Sequence, residues 1–99
     1  MNKTEGQRIR ELIEAVCLEW GIATKSVFAR VQFREYVCAR HMITLALREE
    51  YRWTITRIAH LMHRDPSTIW HSLDAASDLI DTDMAFKATY KRIVAHNSK

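Results

Sequence analysis

Between Ile55 and Ser72 the chain reads ITRIAHLM, HRDP and STIWHS, and its chemically able groups are of two kinds. His60 and His63 stand three apart in a helical register, with His71 beyond them. Such a pair could bind zinc, but no cysteine or carboxylate at ligand spacing completes a site, so no metal is expected. The second kind is Ser67, Thr68 and His71, small polar groups at the opening of a helix. Asp65 suits the N-cap, where its carboxylate would accept first-turn amides. Pro66 suits the first helical position, where a missing N–H costs nothing. Ile69, Leu73, Ala76 and Ile80 share one face and turn it inward, which leaves Ser67, Thr68 and His71 elsewhere. A short helix, a tight turn and a helix with a polar start have the outline of a helix-turn-helix that reads DNA, here about residues 54–80.

No rival chemistry emerges from the rest of the chain. There are no paired carboxylates in an apolar setting and no Ser or Cys beside a plausible base, so an enzyme is not expected. Cys17 and Cys38 lie in apolar helical patterns, which predicts two buried thiols in a reducing compartment, with a disulfide as the weaker reading. Two glycines could not build a G-x-x-x-x-G-K-[ST] loop, so neither nucleotide nor any other cofactor is expected.

The elements that must position these residues follow from composition and periodicity. Ninety-nine residues, 47% hydrophobic, make one domain over 1–99, and two Gly with one Pro leave little room for all-β turns. The expected fold is all-α, a compact multi-helix domain. Net charge of +3 permits a polyanionic partner without demanding one. The polar amino terminus and the lack of a long apolar run predict a cytoplasmic protein off the membrane.

Ile9, Leu12, Ile13, Val16, Cys17 and Trp20 predict a helix over about 7–20, stopped at Gly21. Thr24 can cap a short turn carrying Val27 and Phe28 inward, and 29–34 reads as a loop. The longest helix is expected over about 34–50, burying Val37, Cys38, Met42, Leu45 and Ala46, with Arg40, Arg48 and Glu49 on or near its wet side. Thr54 can cap the next helix, whose inward face is Ile55, Ile58, Ala59 and Met62. Asp81, Thr82 and Asp83 break and recap the chain before a last helix over about 84–96, and 97–99 read as a frayed end. Trp20 reads as core, Trp53 as a staple at a helix start and Trp70 as a half-buried packing residue, with a contact to the DNA backbone or a protein partner as the sharper alternative.

Three segments also carry a family resemblance. Arg34-Glu35-Tyr36-Val37-Cys38-Ala39-Arg40-His41 resembles the R-x-x-V-x-A-R-Q stretch of the carboxy-terminal DNA-binding domain (domain IV) of the bacterial replication initiator DnaA. Thr54-Ile55-Thr56-Arg57-Ile58-Ala59 resembles its S-L-P-E-I-G, and Arg64-Asp65-Pro66-Ser67-Thr68-Ile69-Trp70-His71 its signature R-D-H-T-T-V-L-H. The spacing agrees, with one residue fewer in the turn, and the resemblance covers roughly Ile9 to Ile93.

It implies an extended helix-turn-helix of the Trp-repressor and DnaA kind that binds double-stranded DNA. Major-groove base contacts would fall near Asp65, Pro66 and Ser67, beside Arg64. Phosphate or sugar contacts would fall to Arg40, His41, Arg48, Thr68, His71 and the helix start at Thr54 and Thr56. The loop from Arg30 to Arg34 matches one that enters the minor groove. Two departures bear on specificity. Pro66 replaces a histidine and offers no side-chain donor to a base edge. Gln32 stands where an arginine is expected, leaving Arg30 and Arg34. DNA binding should survive with a different sequence preference.

The implied role is a small regulator of replication or transcription without the family's ATPase, such as a phage or mobile element would carry. The alternative is a protein-interaction module that keeps the fold, has lost DNA binding and inhibits a host replication or transcription protein. One continuous positive face over Arg34, Arg40, Arg48 and His71 would favour DNA; interspersed acids would favour the module.

Overall fold

The computed structural model describes residues 2–97. Five helices form among them and no strand: α1 Glu5–Trp20, α2 Arg34–Glu49, α3 Ile55–Met62, α4 Pro66–Thr82 and α5 Met84–Asn97, with a single 3-10 turn at Thr24–Ser26. Ser98 and Lys99 of the expected frayed end lie outside the described residues, whereas Asn97 belongs to α5 and donates to the Ile93 carbonyl at 2.9 Å.

Each boundary has a local cause. Thr4 and Gln7 form a reciprocal capping box at the start of α1, and Gly21 closes it with a left-handed φ of 66°. Thr54 Oγ accepts from the Arg57 amide and starts α3. Asp83 Oδ1 accepts from the Phe86 amide at 3.0 Å and starts α5. Asp83→Ala should therefore lower stability by about 1 kcal/mol in urea unfolding, the usual cost of a lost N-cap.

α2 is the axis of the fold and packs against α1, α3 and α4, while α5 closes the bundle against α1 and α4. Its buried residues are Cys38, Ala39, Arg40, Met42, Ile43, Thr44, Ala46 and Leu47, a wider arc than the one-sided stripe expected. Val37 and Leu45, expected in that stripe, are only half-buried. α4, with 17 residues, rather than α2, with 16, is the longest helix. α3 buries Ile58, Ala59 and Met62 of its expected inward face, while Ile55 in the first turn is only half-buried.

Cys17 and Cys38 are free, buried thiols. Burial pushes Cys17 up to about 11 and raises Cys38 as well, so neither is a ready nucleophile. Trp20 packs against Phe86 across α1 and α5, ring centres 6.1 Å apart. Trp53 is buried before the α3 cap, with the Arg57 guanidinium 3.7 Å over its ring.

Candidate nucleic-acid interface

α3 and α4 are joined by His63, Arg64 and Asp65, with no glycine to make the turn. His63 makes it by adopting the left-handed conformation, φ 55°, and its amide donates to the Ala59 and His60 carbonyls. Histidine is among the residues that enter this region more readily than most. Arg64 then donates to the Met62 carbonyl at 3.1 Å and across to the Ala29 carbonyl at 3.2 Å. The turn is thus tied to the loop that precedes α2.

Asp65 occupies the N-cap position of α4, but its carboxylate makes no capping bond, contrary to expectation. Pro66 has no N–H, and the Thr68 and Ile69 amides donate to the Asp65 backbone carbonyl at 3.0 and 3.2 Å. The start of α4 thus carries no side-chain hydrogen bond from its N-cap residue, and its dipole end favours an anion. Pro66, Ser67, Thr68 and His71 are all exposed there.

Two further expectations are corrected. Arg40, placed on the wet side as a phosphate contact, is only 9% exposed. Its guanidinium donates to the carbonyls of Val27 at 3.1 Å, Ala29 at 3.0 Å and Val31 at 2.6 Å. Burial, and then the nearby Arg64, lower its pKa. His41, also expected to meet phosphate, is half-buried, with Nδ1 2.6 Å from Ser72 Oγ, and so links α2 to α4.

Burial, with the Arg40 charge second, pulls the His41 pKa below its usual 6.5. The folded state thus favours the neutral ring, and the unfolded chain binds a proton more readily. The stability this confers is present above about pH 6.5 and is lost as the pH falls through the lower folded value. Urea midpoints should drop between about pH 7.5 and about pH 5 by more in the wild type than in His41→Gln.

The remaining expected residues fall around the same edge. Arg30 is exposed on the loop, and Thr56 is exposed in the first turn of α3. Thr54 uses its hydroxyl as the α3 cap. Arg48 donates to the Trp53 carbonyl at 2.9 Å, with its guanidinium 5.9 Å from the Trp70 ring centre. Arg34 reaches toward Asp83 at 3.8 Å, an exposed pair of little energetic weight.

A cleft of about 350 Å³ opens between loop 29–34, α2 and α4, lined by Gln32, Arg40, His41, Arg64, Thr68 and His71 among others. The sought continuous positive face does not form as drawn, because Arg40 is internal and Arg34 leans on an acid. The cations near the α4 tip are instead Arg30, which is exposed, and Arg64 and Arg48, which are half-buried and donate to backbone carbonyls, with Asp65 exposed close by.

Three residues at this edge were not expected as site residues. Gln32 lines the cleft, Ser72 is the buried partner of His41, and Trp70 stands 52% exposed. Ser72 follows Ile69 by three on the buried stripe, a signal visible in the sequence. Trp70 is more exposed than the half-buried packing reading expects, which leaves it open to a contact. Among the described residues no group of three or more His, Cys, Asp or Glu could hold a metal ion. No helix there is long and apolar enough to cross a membrane.

The chain thus forms a small all-α domain with a polar, cation-flanked helix tip at its edge. Its similarities are to replication initiators. It is 29% identical over 72 residues to chromosomal replication initiator protein DnaA 1 of Chlamydia trachomatis, a match covering 73% of this chain and 16% of that protein. It is 30% identical over 70 residues to DnaA 2 of Chlamydia caviae, covering 71% of this chain and 15% of that one. Against DnaA 2 of Protochlamydia amoebophila it is 27% identical over 74 residues, covering 75% and 16%. The match thus takes in only about a sixth of the length of these relatives. No family model matches the chain, and no solved structure gives a significant match.

Proposed function

We propose that this chain binds double-stranded DNA as a DnaA-like helix-turn-helix domain of the carboxy-terminal, domain IV type. α4 would enter the major groove by its start. The observation that carries the reading is the α4 tip without a side-chain cap, where Ser67, Thr68 and His71 are exposed, Thr68 and His71 line a cleft with Arg64, and Arg48 lies against Trp70. Similarity to proteins named as chromosomal replication initiators supports it.

In the bound state Ser67 would meet a base edge, and Pro66 would offer only apolar contact, for instance to a thymine methyl. Thr68, His71, Arg64 and Arg48 would grip the backbone and set the register, while Arg30 would reach the adjacent minor groove. The task is binding rather than catalysis, with no nucleotide used, in the regulation of replication or transcription. The buried free thiols suit the reducing cytoplasm.

The test is fluorescence anisotropy with random and DnaA-box duplexes across salt. About four phosphate contacts should weaken binding on the order of a hundredfold between roughly 50 and 200 mM salt. A preference for one duplex would show base reading. No binding at low salt would overturn the proposal. It would favour the protein-interaction reading, to which Trp70, 52% exposed at the same tip, lends its one specific support.

A further inference from the structure

Loop 27–34 is anchored by backbone bonds only at its ends, from the Val27 amide to Thr24, from the Ala29 amide to Ser26 and from the Tyr36 and Val37 amides to Phe33. Between those ends the carbonyls of Val27, Ala29 and Val31 converge on one buried guanidinium, that of Arg40. Two of them meet Nη1 and the third meets Nη2, so the fork of the guanidinium is what the alternating carbonyls fit. Arg30 lies between two clamped carbonyls, and its own side chain is exposed. Arg64 holds the Ala29 carbonyl as well, which puts this backbone within an arginine's reach of the turn that opens α4.

We infer that Arg40 is a positioning residue: it fixes the loop so that Arg30 is presented beside the α4 tip. Its contribution to duplex binding therefore passes through Arg30 and not through its own charge. The inference rests on the DNA-binding reading and adds to it a residue that touches no DNA. Lysine at position 40 would keep the charge but supply a single nitrogen, which cannot span carbonyls shared between two.

The experiment is a double-mutant cycle on the whole chain, read by duplex anisotropy, with folding checked by circular dichroism. Arg30→Ala should weaken binding on the order of tenfold and reduce the salt slope by about one. Arg40→Lys, at unchanged net charge, should produce the same loss, and adding Arg30→Ala to it should cost less than about twofold more. A second variant, with one glycine inserted between Arg30 and Val31, keeps Arg40 and shifts the clamped carbonyls out of register. It should reproduce that pattern and serves if Arg40→Lys fails to fold. An equal cost of Arg30→Ala in every background overturns the inference while leaving the DNA reading intact. A wild type that binds no duplex at low salt overturns both.

Discussion

Thr68→Glu is expected to abolish most duplex binding, by on the order of a hundredfold, while stability stays within about 1 kcal/mol of the wild type. Thr68 is the third residue of α4, exposed at the tip and lining the cleft beside Arg64 and His71. A carboxylate there would face phosphates, and like charges brought together at an interface cost several kcal/mol. The same carboxylate suits the helix itself. Acidic groups in a first turn are stabilising by roughly 0.3–1 kcal/mol, and a glutamate at the third position can reach back to the cap amide. Repulsion from the exposed Asp65 offsets part of that gain. Fold and binding should therefore separate, with a urea midpoint near the wild type's and anisotropy that no longer rises with duplex. Binding within about threefold of the wild type would remove the α4 tip from the interface.

Ile58→Ala should lower stability by about 2–5 kcal/mol, the range for emptying a buried aliphatic site. Ile58 is fully buried, and α3 has only eight residues. A helix that short is not stable by propensity and holds its shape through packing. Ile58 belongs to the same buried cluster as Ala59 and Met62, and Met62 Sδ accepts from the Thr44 hydroxyl at 3.2 Å. A domain of this size is stable by roughly 5–15 kcal/mol, so the loss would be a large fraction of the whole. The urea midpoint should fall by on the order of 2 M. Duplex binding should weaken in the same samples, because the α4 tip is positioned through α3. A midpoint shift below about 0.5 M would show that α3 is not packed as described.

Most of the architecture is legible in the amino-acid order alone, because helices are set by signals a few residues long. The apolar spacing of Ile9, Leu12 and Val16, the Gly21 stop, the Thr54 cap and Pro66 at the first position of α4 each act within one or two turns. Buried thiols at Cys17 and Cys38 were legible for the same reason, as members of apolar stripes. The outward placement of Ser67, Thr68 and His71 followed once the inward face of α4 was read.

Tertiary structure decided what those signals could not reach. The buried arc of α2 is wide because three helices pack on it, so Arg40 becomes internal and must spend its donors on Val27, Ala29 and Val31. Periodicity along α2 could not foresee a loop folding over that side. His41 is half-buried because Ser72 of α4 meets it, a partner 31 residues away. Asp65 takes the N-cap position of α4 without making a capping bond, a side-chain geometry that residue type and position do not carry. His63 makes with a left-handed φ of 55° a turn for which glycine is the usual residue. Which residues can meet a ligand was thus decided by contacts distant in sequence, whereas which residues are helical was decided locally.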